Sequence, residues 1–555
     1  MSGPASSQDE YFDLGSFQRP VTTKSEKTQL WFNRGLIWCY GFNHEEAVKC
    51  FEKAIAEDAS CAMAFWGLAY ALGPNYNKPW DFFDEKELDT VVNRTSKAVK
   101  QARAHESSPV EQAIINALQF RYPEERTEND YSIWNQKYAR AMECVYNEFQ
   151  DDLDVAALYA DALMNLTPWQ LWDIRSGQPA NGARTIDAKN VLDGALAKEG
   201  GLAHPGLLHL YTHLMEMSAT PEDALPVTNH LRGLVPDAGH LQHMPTHLDI
   251  LCGDYQRAIS SNMEAIWADD KFLTRSGPLN FYTLYRCHDY HFCIYAAMFA
   301  GRSKVAMDTV KALETTLPED LLRVNSPPMA DWLEGFLTVR MHVLVRFGLW
   351  DDLLSLEIPL DQKLYCVTTA MVHYAKGVAL AATGNVDHAE IEREKFREAL
   401  KHVPPSRMLF NNKCVDILMV ASAMLDGELE YRRGNFDVAF DHLLRSITLD
   451  DSLPYDEPWG WMQPTRHAYG ALLLEQGQVE KAATVYKADL GMDNTLPRAL
   501  QHRNNVWALH GYHECLRRLD CKSEAALIEE KLAKALEIAD VPIRSSCFCR
   551  LKEDR

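Results

Sequence analysis

Apolar and small side chains recur along this chain at steps of three and four residues, the spacing that gathers them on one face of an α-helix. Trp31, Gly35 and Trp38 make one such stripe, and Ala47, Phe51 and Ala54 make the next. A further stripe opens at Cys61 with Phe65, Leu68 and Ala69. Similar units return around Gly377 and Ala389, around Gly427 and Ala439, around Gly470, Ala482 and Tyr486, and around Trp507 and Gly511. Short runs of Gly, Asn and Asp separate the stripes, as in RRGN, and fit tight helix–helix turns. No stretch alternates apolar and polar residues convincingly with period two. The pattern predicts an all-α chain of paired helices.

A bulky residue, a small one and an aromatic on one helix, then A-x3-F on the next, is the tetratricopeptide pattern. Small residues let the two helices approach, and the aromatics fill the space beside them. The expected architecture is a tetratricopeptide-type helix-turn-helix superhelix, an α-solenoid able to close on itself. Segments 74–100, 167–190, 318–330 and 402–412 break the regularity and read as inserted loops, of the kind that often covers a site. Residues 1–20 read as a loose tail, 21–200 as N-terminal repeats, 201–320 as a His-rich central block, 321–545 as C-terminal repeats and 546–555 as a second tail.

Composition narrows the function classes. An apolar share of 46% in 555 residues supports a substantial core. The formal charge of −22 disfavours nucleic acid and an anionic membrane surface as partners. The polar start MSGPASSQDE lacks the apolar stretch of a secretory leader. No run approaches the roughly 18 to 20 apolar residues that span a bilayer. The thirteen cysteines are odd in number and irregularly spaced, which reads as reduced thiols in a soluble cytoplasmic protein. Cys547-x-Cys549 is a weak metal or redox signal.

Histidine distribution changes the picture most. Nine of the twenty histidines fall between His204 and His291, where even scatter would put about three. His209 to His243 is 34 residues, and His213 to His247 is again 34; that interval is the tetratricopeptide period. With Ala224, Ala258 and Ala306 as the second-helix alanines, three units begin at Pro205, Gly239 and Cys287. His240 and His288 then share position 2, His209, His243 and His291 position 5, and His213 and His247 position 9, with Glu216 at position 12. These positions form one stripe, since about 100° per residue brings them round to the same side of a helix.

Neutral imidazole binds zinc, copper, iron and nickel, and a carboxylate broadens the choice towards iron. Metal candidates are therefore His209, His213, His240, His243, His247, His288 and His291. Glu216 is a candidate ligand or base, and Tyr295, next on the stripe, a phenol near a redox metal. So many donors exceed the needs of one tetrahedral ion and allow a dinuclear centre, common in oxygen-activating and hydrolytic chemistry. A single helical histidine is more often a core or surface residue. Pro245 would break a long helix, so a helix starting there would leave His240 and His243 in the preceding loop. Tyr282, Tyr285 and Tyr290 crowd the region, and YDEPWGWMQPTRH adds Glu457, Arg466 and His467. Phosphate-binding glycine loops, a zincin helix and a serine nucleophile elbow are all missing from the sequence.

Several stretches are similar to a family of bacterial and fungal proteins known simply as tetratricopeptide-repeat proteins. They are residues 40–77, TPWQLW (167–172), HPGLLHLYTHLMEMS (204–218), GHLQHMPTH (239–247), HDYHF (288–292) and YDEPWGWMQPTR (455–466). The resemblance implies an all-α repeat fold whose first helices line a concave groove, and it brings no activity with it. Two functions fit the residues. One is a metal-dependent enzyme, oxidative or, second, hydrolytic, using copper, iron or zinc on a small molecule. The other is a scaffold in which the histidines line a peptide groove and a protein partner binds.

Overall fold

The computed structural model describes residues 11–122 and 131–550. The first ten residues of the expected N-terminal tail and the last five of the C-terminal one lie outside the described residues. Within them the chain is all-α, and β-structure is confined to two-residue hairpins and isolated bridges. Antiparallel helix pairs follow one another, among them Glu26–Tyr40 with His44–Glu57, Cys414–Arg432 with Phe436–Asp451, and Thr465–Glu475 with Val479–Asp489.

The pairs pack as the small and aromatic positions predict. A Cβ on Gly35 would stand 2.8 Å from the Phe51 ring, and one on Gly67, in the following helix, would overlap the same ring. Tyr486 is gripped in the same way between Gly470 and Gly511, and Leu443 packs against Gly427. Phe51 and Tyr486 each fill the hole that glycines of the two flanking helices leave, and the helices approach more closely than any Cβ would permit. Turn residues set the pair boundaries: Ser25 accepts a hydrogen bond from the Thr28 amide, and Asn43 from that of Glu46.

The superhelix folds back on itself. The Trp507 indole donates to the Met298 carbonyl at 2.7 Å, the Arg498 guanidinium to that of Leu251 at 2.7 Å, and the Tyr255 hydroxyl to that of Arg503 at 2.8 Å. C-terminal helices thereby cover the middle block. No described helix is long and apolar enough to cross a membrane.

Several sequence expectations need correction. Helix Glu85–Ala104 occupies most of the segment expected as a loop at 74–100, and Thr185–Leu196 the end of that at 167–190. Asp84 caps the former by accepting from the Glu87 amide; the Pro- and Trp-rich stretch before it masks this start. Residues 11–20 are packed rather than loose: the Tyr11 hydroxyl donates to Glu46 at 2.8 Å, and Arg19 bridges Asp152 and Asp154. Cys547 and Cys549 are joined in a disulfide, so the reduced-thiol expectation fails at that pair; the other eleven cysteines are free.

Candidate metal centre

Helices Pro205–Glu216, Gly239–His243, Pro245–Cys252 and Thr283–Phe299 carry the central histidines. Pro245 opens its own helix, where its missing N–H costs nothing. His240 and His243 therefore sit on a separate helical turn, not in a loop. The side chains of His209, His213, His240, His243, His247 and His288 are between 0% and 5% exposed. The expected open groove is filled.

Their nitrogens converge in overlapping sets. His209, His213 and His240 offer donor atoms within 4.8 Å of one another, and so do His243, His247 and His288. Two further sets combine His240 and His243 with Asp289, and His247 with Glu216 and Glu457. The ring centroids of His213 and His247 lie 5.9 Å apart, close enough for neighbouring coordination positions.

Hydrogen bonding sets the tautomers. His209 Nδ1 lies 2.5 Å from the carbonyl oxygen of Tyr40. A carbonyl only accepts, so Nδ1 carries the proton and Nε2 keeps its lone pair. Tyr40 ends its helix, which leaves that carbonyl open to a side-chain donor. His243 Nδ1 lies 2.7 Å from Asn262 Oδ1, and the amide is oriented by its own bond from Nδ2 to the Ala258 carbonyl. His213 Nδ1 lies 3.0 Å from Glu216 Oε1. In all three rings the outer nitrogen is engaged and Nε2 turns inward, the arrangement usual for a metal-ligating imidazole. The Nε2 atoms of His209 and His213, and both ring nitrogens of His240, are buried without a hydrogen-bond partner.

Carboxylates meet the histidines at His247. Its Nδ1 stands 2.6 Å from Glu216 Oε2 and 2.8 Å from Glu457 Oε2, yet none of the three atoms has a hydrogen bond aligned on it. Its Nε2 lies 2.7 Å from that of His243. Neighbouring donors on an ion with bonds of 2.0–2.2 Å lie about 2.8–3.6 Å apart, close to these separations. Burial disfavours an imidazolium at His247, but Glu216 and Glu457 outweigh it and push the pKa up to about 10. Burial raises Glu457 to about 7, against the pull of His247. Burial, reinforced by neighbouring imidazoles, holds His209, His240, His243 and His288 well below 6.5, in the neutral form a metal requires.

Aromatic rings wall the centre, several of them from the irregular segments. Phe42 lies 4.3 Å from the His209 ring, Tyr76 5.0 Å and Trp169 5.6 Å from His213, and Phe410 4.8 Å from His288. Phe42, Trp169 and Phe410 have φ of 56°, 58° and 48°, left-handed backbone that costs a bulky residue energy. The other non-glycine residues of this kind among the described ones are Asn504 and Asp520, types that tolerate it. Left-handed aromatics thus cluster around the histidines.

Other expected residues stand apart. His291 faces Phe336, with ring centroids 5.4 Å apart, and joins none of the donor sets. Three residues past His288, it is rotated about 60° off that side chain's direction. Tyr295 packs on Phe299 at 4.7 Å. His204 caps its helix and contacts Asp154, and His230 is exposed. Tyr285 packs edge-on against His240 at 4.8 Å, and the Tyr282 hydroxyl accepts from the His240 amide and donates to Asp269. Glu457, Asn262 and Asp289 complete the centre; Glu457 and Asp289 lay in segments with a visible signal, and Asn262 did not.

No protein-family model matches the chain, and no curated protein matches its sequence. Among solved structures it is similar to a human IFIT1 dimer with m7Gppp-AAAA, at 12% identity and a TM-score of 0.31, over 94% of this chain and 92% of that one. It is also similar to yeast Tom70, at 12% identity and a TM-score of 0.28, over 93% of each chain. Likeness of this degree says nothing about the histidines.

Proposed function

We propose that this chain is a metalloprotein whose central histidines hold a transition metal, copper, iron or zinc, as one ion or a close pair. We further propose that the centre serves an oxidative reaction on a small molecule. One observation carries the reading: His209 and His213 each have Nδ1 engaged outward and Nε2 buried without a partner, beside His240, whose two ring nitrogens are both unpartnered. An unpaired buried polar atom costs about 1–3 kcal/mol. Several together are costly for folding alone, and a cation satisfies them at once.

A bound ion would supply Lewis-acid or redox chemistry. The chain supplies the rest. The Tyr40 carbonyl, Asn262 and Glu216 orient the imidazoles; Glu216 and Glu457 balance cationic charge and are placed to accept a proton. Phe42, Tyr76 and Trp169 exclude water. The carboxylates favour iron over a purely soft-ligand metal.

Complete burial speaks for a small molecule over a peptide. A cavity of about 110 Å³ beside the centre is lined by Phe42, Asn75 and Tyr282, among others, and Phe42 also touches His209. Thermal unfolding with each metal in turn tests the reading. At least one should raise the melting temperature of wild type and not of a His213→Ala, His247→Ala double variant, and oxygen uptake should accompany copper or iron. Equal responses of wild type and variant to all three would count against it.

A further inference from the structure

The four donor sets overlap in residues but not in the nitrogens they use. Carboxylates meet the imidazoles at Nδ1. Glu216 Oε1 stands 3.0 Å from His213 Nδ1, and its Oε2 stands 2.6 Å from His247 Nδ1. Glu457 Oε2 lies 2.8 Å from the same His247 atom, and Asp289 Oδ1 lies 3.5 Å from His243 Nδ1. Histidine meets histidine at Nε2 instead: that of His247 lies 2.7 Å from that of His243 and 3.4 Å from that of His288. A carboxylate on one ring nitrogen with an ion on the other is the usual order around a metal. The carboxylates therefore back the rings, and the two all-histidine sets are the inner ones.

Those two sets share no residue. In the first, Tyr40 and Glu216 occupy Nδ1 of His209 and His213, which leaves their Nε2 atoms beside the unpartnered nitrogens of His240. Donor atoms of all three lie within 4.8 Å of one another. In the second, the Nε2 spacings of His243, His247 and His288 are close to those of neighbouring ligands on one ion. The sets adjoin, with ring centroids 5.9 Å apart between His213 and His247 and 5.8 Å between His240 and His243. Glu216 reaches one ring of each set with a different oxygen. Three neutral imidazoles suit zinc, copper or iron and leave a tetrahedral ion one position for a reactant.

Building on the metal-centre reading, we propose that the centre is two sites. His209, His213 and His240 hold one ion, His243, His247 and His288 hold a second, and Glu216 braces both from behind without ligating either. Titration of the metal-free full chain with zinc and, separately, copper(II), against a competing chelator, tests it. Wild type should take up two equivalents of at least one metal. His209→Gln and His288→Gln should each take up one, and the two combined none. Glu216→Gln should keep both equivalents and bind each at least tenfold more weakly. His240→Gln and His243→Gln repeat the count should the first pair not fold. One equivalent in wild type, loss of both or of neither ion in a single histidine variant, or loss of an ion in Glu216→Gln would overturn the two-site assignment and leave the metal-centre reading standing. No uptake of either metal would overturn both.

Discussion

His247 Nδ1 lies 2.8 Å from Glu457 Oε2, across 210 positions of chain. The contact joins the middle of the superhelix to a C-terminal segment, and the donor set is complete only because the solenoid folds back. Tyr455 donates to the other oxygen of Glu457, which fixes the carboxylate. Glu457→Gln keeps the shape and removes the charge, so metal affinity measured by chelator competition should fall at least tenfold. An unchanged affinity would place Glu457 outside the centre.

Asn262 touches His243 only through the outer nitrogen. Asn262→Leu leaves every donor in place but frees the ring to turn, and should cost about 10–100-fold in metal affinity. A variant that lost stability but bound metal as wild type does would refute the orienting role.

Phe42 combines a left-handed backbone with a ring packed on three histidines. Phe42→Ala and Phe42→Gly both remove the ring, but only glycine relaxes the backbone. The glycine variant should be the more stable of the two by about 1–2 kcal/mol in denaturant unfolding. The reverse order would mean that the backbone is not strained there.

The sequence made the helical pairs legible because Gly35, Phe51, Gly470 and Tyr486 pack by size, and size is written in residue type. It also showed why His209, His213, His243 and His247 meet: equivalent positions in stacked hairpins are neighbours in space. His291 occupies an equivalent position too, yet points at Phe336, because register alone does not fix how the third helix is rotated. Glu457 depends on long-range closure and Asn262 on a side-chain bond, neither of which leaves a local pattern. The left-handed turns at Phe42, Trp169 and Phe410 were hidden because the left-handed residue itself is a bulky aromatic, not a glycine or asparagine.

His342 is held down to about 3 by burial, against an ordinary value near 6.5. The unfolded chain takes up this proton below 6.5 and the native chain does not, so its contribution is whole above 6.5 and is lost as pH falls towards 3. His342→Phe abolishes that loss. Relative to wild type, the variant should gain about 2 kcal/mol between pH 7 and pH 5, the free energy of 1.5 pKa units. A stability difference that stays constant over that range would show that His342 is protonated in the native chain.

The central claim is that the buried imidazoles are ligands, and elemental analysis of protein purified without a metal-affinity tag tests it most directly. The account predicts copper, iron or zinc at one or two equivalents per chain, lost in the His213→Ala, His247→Ala double variant. Metal-free protein that neither takes up added ions nor changes its stability in their presence would contradict it.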